Sequence, residues 1–235
     1  MKYTFIRQAL HGLAHLFYPE LCEGCNNELN VPEKVLCLHC SLLLPRTSFH
    51  HIQENKTFQN FIGRVPIEKA TSFVFFTKEG LMQHLLHRFK YKGRKEIGTF
   101  MGRSLGEELK KCGWLDNIDI IIPVPLHARK EYSRGYNQAR LFAEGIAAVA
   151  GIVVWNAALV RLSNTATQTR KSRAERIENV RDVFKLKEPK KLKDKRILLV
   201  DDVLTTGATL EACAIELLKA EGVQVSIATI ALATD

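Results

Sequence analysis

The stretch ILLVDDVLTTGAT, residues 197–209, constrains the fold of this chain more than any other segment. It begins as an apolar run, passes through Asp201 and Asp202, and ends in a loop of small residues that opens a helix. Ligands of open α/β sheets bind beyond the carboxyl ends of the strands, and a helix N-terminus presents free N–H groups to an anion. The order of these elements therefore predicts an α/β sheet with an anion site at its edge.

The loop and the two acids have different predicted roles. Glycine at 207 lets the backbone approach an anion closely, and threonine hydroxyls donate hydrogen bonds to its oxygens. The predicted cradle consists of Thr205, Thr206, Gly207, Ala208 and Thr209. The paired carboxylates can accept hydrogen bonds from a ribose diol or hold Mg2+ through water. The alternative is a threonine-capped helix with acids at a sheet edge; a P-loop is excluded because no GKS or GKT triplet occurs.

From about residue 67, the chain alternates between strand and helix patterns. Strands are expected at 70–77, 118–124, 152–155, 196–200 and 223–231. Helices are expected at 80–111 with a break near Gly93, at 137–150 and at 210–220. This alternation predicts an α/β fold over residues 67–235, with a parallel sheet covered by helices on both faces.

Four of the six cysteines form two pairs, Cys22-x2-Cys25 and Cys37-x2-Cys40. Each CxxC turn points two thiolates at one tetrahedral cation, and four thiolates leave no open position, which predicts a structural Zn2+ site. Disulfides are the alternative, but they rarely persist in a reducing compartment. We therefore expect residues 1–66 to hold an amphipathic helix and a zinc ribbon.

The first twenty residues have apolar side chains at helical spacing, but polar residues interrupt any signal-peptide core. No run in the chain reaches the roughly 18 apolar residues that a membrane span requires. We therefore expect a soluble, cytoplasmic protein without a membrane span. The remaining thiols, Cys112 and Cys213, stand alone and are predicted to be ordinary buried residues, and His39 is predicted to lie outside the ligand set.

The net charge of +9 is unevenly distributed. Residues 161–196 hold thirteen Lys or Arg against five Asp or Glu. A second basic run, HRFKYKGRKE, contains Arg88, Lys90, Lys92, Arg94 and Lys95. Such clusters suit the phosphates of a nucleotide or of nucleic acid, although a solvated surface has the same composition.

The stretch 197–209 resembles the 5-phosphoribosyl-1-pyrophosphate signature of type I phosphoribosyltransferases. The resemblance implies that Asp201 and Asp202 contact the ribose hydroxyls and that the loop Thr205 to Thr209 binds the 5-phosphate. In the segment IIPVPLHARKEYSRGYNQA, we expect a loop after the strand, and the resemblance makes it the pyrophosphate loop, with Arg129, Lys130 and Arg134. Arginine binds phosphate bidentately and lysine as a point charge, so these residue types fit, although a solvated basic loop fits too.

The segment NTATQTRKSRAERIENVRDVF is similar to the mobile hood that closes over the active site in that family. Its polar members are Thr167, Gln168, Arg173, Glu175, Arg176 and Asn179. A hood that excludes water protects a reactive ribosyl centre from hydrolysis, whereas a plain amphipathic surface helix is the alternative.

Together, the four-cysteine ribbon and the motifs PVPL, RGYNQ, TQT and VDDVLTTGAT resemble the ComF family of competence-associated phosphoribosyltransferase-like proteins. One departure is Arg170-Lys171, where the family pattern has a small and then an apolar residue. The resemblance implies a type I phosphoribosyltransferase-like domain beside a zinc ribbon. It also implies a role in DNA uptake, with single-stranded DNA and a helicase-like translocase as partners.

Three hypotheses for the function follow from this resemblance. The first is a phosphoribosyltransferase that binds 5-phosphoribosyl-1-pyrophosphate with Mg2+ and transfers the ribosyl 5-phosphate group to a nitrogen nucleophile. The second is a single-stranded DNA-binding or uptake protein that keeps the fold without turnover. The third is a nucleobase salvage enzyme, which the ribbon disfavours. The intact pair Asp201-Asp202 favours retained ligand binding, because a pure DNA binder has no evident need for paired acids.

Overall fold

A central parallel sheet organises the computed structural model, which describes residues 19–162 and 183–234. The strands are β1 (Ala70–Phe76), β2 (Ile120–Pro123), β3 (Val153–Val154), β4 (Leu159–Arg161), β5 (Phe184–Leu186), β6 (Arg196–Leu204) and β7 (Gln224–Ala233). Five of these form the central sheet in the order β1-β7-β6-β2-β3, and every neighbouring pair is parallel. The strands β4 and β5 form a separate antiparallel pair.

Helices lie on both faces of this sheet, as the alternation predicts. Within the described ranges they are α1 (Leu38–Leu42), α2 (Lys56–Gln59), α3 (Leu81–Tyr91), α4 (Glu96–Lys111), α5 (Ala128–Arg134), α6 (Gln138–Ala150) and α7 (Ala208–Leu217). Two 3-10 turns occur at Phe49–His51 and Pro189–Leu192. None of the helices within these ranges is both long and apolar enough to cross a bilayer.

Strand β6 separates two hydrophobic clusters because successive side chains of a strand point to opposite faces. Leu198 and Val200 belong to the cluster that contains buried residues of α3 and α4, together with Phe142, Ala143 and Ile146 of α6. Ile197 and Leu199 belong to the cluster that contains the buried residues of α7. A parallel strand covered on both faces is expected to be continuously apolar, and residues 197–200 of β6 are.

The expected helix at 80–111 is broken where the sequence predicts. Helix α3 ends at Tyr91 and α4 begins at Glu96. Gly93 between them has a φ of 70°, a left-handed conformation that glycine adopts without steric cost. The break is therefore confirmed.

Two local expectations were wrong. The segment Ala128–Arg134, predicted to be a loop, is the helix α5, and it contains no buried residue. Strand β6 does not end at Val200 but continues to Leu204, because β7 runs beside it to Ala233 and supplies pairing partners. The two acids consequently lie inside the strand.

The segment around Cys22, Cys25, Cys37 and Cys40, called the cysteine module below, packs on the sheet domain. Cys22, Leu36 and Cys40 share a hydrophobic cluster with Phe89 of α3 and Leu198 of β6. The domain boundary between residues 66 and 67 stays a prediction. The expected N-terminal amphipathic helix falls largely on residues 1–18, which lie outside the described residues.

Helices α4 and α6 approach each other through two glycines. A Cβ atom at Gly102 would lie 2.2 Å from the Phe142 carbonyl oxygen, and one at Gly145 would lie 2.4 Å from the Thr99 carbonyl oxygen. Both obstacles are backbone atoms, so they cannot rotate away. The close crossing of these helices therefore requires glycine at both positions.

We predict that Gly102→Ala lowers the free energy of unfolding by about 1 to 3 kcal/mol, because the helices must separate to admit the methyl group. Arg103→Ala is the matched control, since Arg103 is the exposed neighbour on the same helix. Denaturant unfolding measures both variants. Equal midpoints for Gly102→Ala and Arg103→Ala would contradict the packing described here.

Candidate functional site

The two acids occupy the carboxyl end of β6, between the neighbouring strands β2 and β7. Asp201 pairs with Thr229 of β7, and the Val124 N–H donates to the Val200 carbonyl at 2.9 Å. Asp201 Oδ1 accepts a hydrogen bond from the Asp202 N–H at 2.8 Å, and Asp202 Oδ1 accepts one from the Val203 N–H at 2.7 Å. Both carboxylates are half-buried, so the strand holds two adjacent acids in fixed positions.

The predicted cradle follows these acids directly and begins helix α7. Gly207 is the N-cap of this helix, with a φ of 76°. A Cβ atom there would lie 3.3 to 3.5 Å from Phe61, Leu204 and Arg64, so a larger residue would be both strained and crowded. A cavity of about 50 Å³ is lined by Asp201 and by residues 203–210. The structure thus brings one acid and all five predicted cradle residues together around one small cavity.

Arg64 supports the cradle from a distant part of the chain. Its Nη1 donates to the Thr206 carbonyl and to the Asn60 carbonyl, both at 2.8 Å, and its Nη2 forms an ion pair with Glu211 of α7. Sequence reasoning missed this residue because residues 41–66 carry no recognisable motif. No local signal indicates that an arginine 142 positions earlier contacts the loop.

Lys90 of α3 is a second residue of the site. Its Nζ lies 2.8 Å from Asp202 Oδ2, and both side chains are mostly shielded from solvent. The sequence shows Lys90 as part of a basic run, and the structure gives this lysine an acidic partner at the predicted ligand site. The sequence therefore shows the basic run, but it does not show that Lys90 pairs with Asp202.

Burial and the charge of Asp202 raise the pKa of Asp201 to about 8. The Asp202 N–H, Lys90 and Arg161 oppose this shift without cancelling it. Two adjacent carboxylates in a partly buried place resist simultaneous ionisation, and a cation or a hydrogen-bond donor would relieve that repulsion. Oxygen ligands of this type suit Mg2+, so the residues fit such an ion.

The predicted pyrophosphate residues follow strand β2 on the same edge of the sheet, since Pro123 pairs with Val200 in the parallel register. Arg129 and Lys130 are exposed on α5. Arg134 at the end of that helix donates from Nη1 to Gln138 Oε1 at 3.0 Å, and its guanidinium lies 5.4 Å from the centre of the Tyr91 ring. Their role in binding pyrophosphate stays a prediction.

The four cysteine Sγ atoms converge at the N-terminal module. They lie within 4.8 Å of one another, and Cys25 Sγ is 3.7 Å from Cys37 Sγ. Two thiolates on one tetrahedral Zn2+ at 2.3 Å are about 3.8 Å apart, whereas a disulfide needs about 2.05 Å. All four are free thiols, so the arrangement fits a zinc ion and not two disulfides.

Backbone donors surround these sulfurs. Cys22 Sγ accepts from the Gly24 N–H at 3.4 Å and from the Cys37 N–H at 3.3 Å. Burial alone would raise the pKa of Cys22, but the backbone N–H donors have the larger combined effect and lower this pKa to about 7. At Cys40, burial and the adjacent thiols raise the pKa. Four thiolates this close together would need a cation such as Zn2+ to offset their charge, so the cluster could bind zinc. His39 is exposed beside this set.

Helix α3 links the cysteine module to the acids. Glu23, only 4% exposed, lies between two of the cysteines, and its carboxylate is 2.6 Å from Arg88 Nε and 3.1 Å from Arg94 Nε. Arg88 also donates to Asn26 Oδ1 at 3.1 Å. Because Arg88 and Lys90 belong to one helix, the module and the acid pair are held by the same element.

Two remaining expectations concern the hood and the lone thiols. The hood residues Thr167 to Asn179 lie outside the described residues. Cys213 is buried as predicted, whereas the prediction for Cys112 was wrong: its thiol is exposed, because the residue follows the last turn of α4.

This fold and site define a class, an α/β domain of the type I phosphoribosyltransferase fold with a four-cysteine cluster. The family model described as phosphoribosyl transferase domain matches residues 138–235. The chain is 30% identical over 217 residues to Competence protein F of Haemophilus influenzae, which covers 91% of this chain and 90% of that protein. The chain therefore belongs to the ComF family.

Two further relatives match shorter stretches. The DNA utilization protein YhgH of Salmonella typhimurium is 33% identical over 138 residues, 57% of this chain and 60% of that protein. Competence protein ComFC of Bacillus subtilis is 32% identical over 139 residues, 59% of this chain and 54% of that protein. Both alignments span less than two thirds of the relative's length.

Solved structures similar to this chain include an allosteric regulatory enzyme of purine biosynthesis and an adenine phosphoribosyltransferase. The first is 21% identical with a TM-score of 0.41, covering 60% of this chain and 29% of that chain. The second is 14% identical with a TM-score of 0.41, covering 64% of this chain and 75% of that chain.

We predict that the cysteine module holds Zn2+ and that removing this ion lowers the melting temperature by about 5 °C or more, because module side chains belong to the core of the whole domain. Cys37→Ser should have the same effect and make the protein insensitive to chelators. His39→Ala is the control, since this exposed side chain neighbours the ligands without belonging to them. Calorimetric melting with and without chelator checks this; identical curves would contradict the zinc assignment.

We also predict that Asp201→Asn changes how stability depends on pH. Between about pH 4 and pH 8, the folded protein holds a proton on Asp201 that the unfolded chain has lost, so stability falls as the pH rises through this window. Asparagine cannot ionise, so the variant should gain about 1 to 2 kcal/mol over the wild type at pH 9 relative to pH 5.

The control for this experiment is Asp116→Asn, which removes an exposed carboxylate. Denaturant unfolding at pH 5 and pH 9 gives the two differences. A gain for Asp201→Asn that is equal at both pH values would refute the assigned burial of this carboxyl group.

Proposed function

We propose that this protein binds 5-phosphoribosyl-1-pyrophosphate, or a closely similar sugar phosphate, together with Mg2+, and that it works in the uptake or use of DNA. One observation carries the ligand proposal: Asp201 and the cradle residues 205–209 line the same cavity. The names of the relatives, Competence protein F and DNA utilization protein YhgH, support the cellular setting.

Each part of such a ligand has a suitable partner at this edge of the sheet. The helix N-terminus and the threonine hydroxyls at 205–209 would hold the 5-phosphate, since free N–H groups and a partial positive charge face it. The carboxylates of Asp201 and Asp202 would accept hydrogen bonds from the two ribose hydroxyls. The cations of α5, namely Arg129, Lys130 and Arg134, would neutralise the pyrophosphate.

Lys90 adds a step to ligand binding in this proposal. Its ammonium group neutralises Asp202 at 2.8 Å. A Mg2+ ion bound through the same carboxylate would compete with that ammonium group, because both carry positive charge. Lys90 would then be released toward the negative pyrophosphate. The ion pair thus offsets the charge of Asp202, and the same lysine would supply a cation to the bound ligand.

Transfer at this site would break the bond between ribose C1 and the pyrophosphate oxygen and form a bond from C1 to an acceptor nitrogen. Pyrophosphate leaves with the bonding electron pair, and the nitrogen loses a proton to solvent. When bound, Mg2+ would reduce the charge on the departing pyrophosphate. The residues of the protein act by positioning the ribose and stabilising charge.

A second candidate function is the binding of single-stranded DNA without turnover. The net charge of +9 and the exposed cations on α5 favour it, because basic surfaces bind nucleic-acid backbones. A DNA backbone, however, has no use for a pair of carboxylates next to an anion cradle. The paired acids therefore favour the sugar phosphate as the ligand of this particular site.

Calorimetric titration of the zinc-loaded protein with 5-phosphoribosyl-1-pyrophosphate, with and without Mg2+, tests the proposal. We expect saturable, Mg2+-dependent binding to the wild type. The double variant Asp201→Asn plus Asp202→Asn should lose at least about tenfold in affinity, which corresponds to about 1.4 kcal/mol. Asp116→Asn is the matched control and should bind like the wild type.

The same preparations are titrated with single-stranded DNA at several salt concentrations. Absence of sugar-phosphate binding, together with DNA binding that weakens steeply with salt, would overturn the proposal and favour the second candidate. DNA binding that survives in the double variant would separate the DNA surface from the acid pair.

A further inference from the structure

A second group of metal-ligating side chains lies away from the four-cysteine cluster. His50 and His51 belong to the 3-10 turn Phe49–His51, and Cys112 follows the last residue of α4. One donor atom from each of the three residues lies within 4.8 Å of the other two. Sixty residues of chain separate the histidines from the cysteine, so the fold creates this cluster and the sequence alone does not reveal it.

The turn that carries the histidines is held firmly by buried hydrogen bonds. The Asn55 side-chain amide donates to the Phe49 carbonyl at 3.0 Å and to the Ile52 and Ala70 carbonyls, both at 2.8 Å. Thr47 Oγ1 accepts from the Phe49 N–H at 3.1 Å. Polar side chains anchored to strand β1 therefore fix the backbone on both sides of His50. A preformed backbone lowers the entropy cost of metal binding.

A carboxylate stands beside this cluster. Glu108 Oε2 lies 3.8 Å from His50 Nδ1, while its Oε1 pairs with Arg46. The His50 side chain is only 5% exposed, so its neighbours restrict its orientation. Carboxylates next to metal-ligating histidines orient the ring and increase its basicity. Glu108 is placed for this role, and Arg46 holds it there.

We propose that His50, His51 and Cys112 form a second binding site for a divalent transition metal, of which Zn2+ is the representative. Two imidazoles and one thiolate are a donor set that Zn2+ accepts, with a fourth position left for water. Donors on one tetrahedral ion are about 3.3 to 3.8 Å apart. Because the side chains of His51 and Cys112 are exposed, rotations about their bonds bring the donors to that distance.

The chemistry of this site differs from that of the four-cysteine cluster. Four thiolates enclose an ion completely, whereas three donors at the surface leave it accessible to exchange. The second site should therefore bind more weakly and fill after the first. Binding replaces the contact of the Cys112 thiol with the Leu109 carbonyl, at 3.4 Å, and releases the thiol proton to solvent. The ion would then tie the 3-10 turn to the end of α4.

Equilibrium dialysis of the full-length protein against increasing Zn2+, followed by elemental analysis, tests this proposal. We expect one tightly held equivalent and a second, weaker one in the wild type. The variants His51→Ala and Cys112→Ser should retain the first equivalent and lose the second. Both replaced side chains are exposed, so the variants are expected to fold. His84→Ala, an exposed histidine on α3, is the matched control and should bind two equivalents.

Peptide-resolved alkylation provides an independent readout. Once the first equivalent is bound, added Zn2+ should slow alkylation of Cys112 severalfold in the wild type and in His84→Ala, but not in His51→Ala. The proposal is overturned if the wild type and the His51→Ala and Cys112→Ser variants take up the same amount of Zn2+. It is equally overturned if Cys112 reacts at the same rate whether or not Zn2+ is present.

Discussion

The parallel pairing of β6 with β2 and β7 is the constraint on which the candidate site depends. Carboxyl ends of parallel strands meet at one edge of a sheet, so segments far apart in sequence begin their loops side by side. Pairing with β2 reaches Val200, and pairing with β7 continues past the two acids, where Val203 pairs with Ala231. Backbone pairing therefore places the two acids, and their own hydrogen bonds and the Lys90 ion pair orient the carboxylates.

Helix α3 connects the acid pair to the cysteine module. Residues two apart on a helix do not face the same side, so Arg88 and Lys90 project in different directions. Arg88 meets the buried carboxylate of Glu23, and Lys90 meets Asp202. A buried carboxylate is costly unless it is paired, which makes the position of α3 depend on the module around Glu23. A change in the module would thus reach the acid pair through one rigid element.

The sequence predicted the parts of the site that are contiguous in the chain. A strand, two acids and a glycine loop in succession specify their own geometry, because the glycine conformation and the helix start are local effects. Arg64 and Lys90 could not be predicted, because their partners Thr206 and Asp202 lie more than a hundred residues away. Ion pairs between distant segments leave no periodic pattern in the sequence.

Helix α5 was missed for a related reason. It buries no side chain, so it has no apolar stripe to indicate helical periodicity. Its ends do carry local signals, since the His127 side chain accepts from the Arg129 N–H at 3.2 Å and Gly135 ends the helix with a φ of 77°. A glycine after a short basic segment is, however, equally typical of a turn.

The acid pair also affects which class of ligand can bind favourably at this edge of the sheet. Desolvation and mutual repulsion raise the pKa of Asp201 even with Lys90 and Arg161 nearby, so ionising both carboxyl groups carries an energetic cost. A ligand that brings hydroxyl donors and a divalent cation removes this cost, whereas a bare phosphate backbone adds negative charge to it. Strain of this kind persists where function requires it. The electrostatics of these two carboxylates therefore support the proposed metal-bound sugar phosphate over nucleic acid as their ligand.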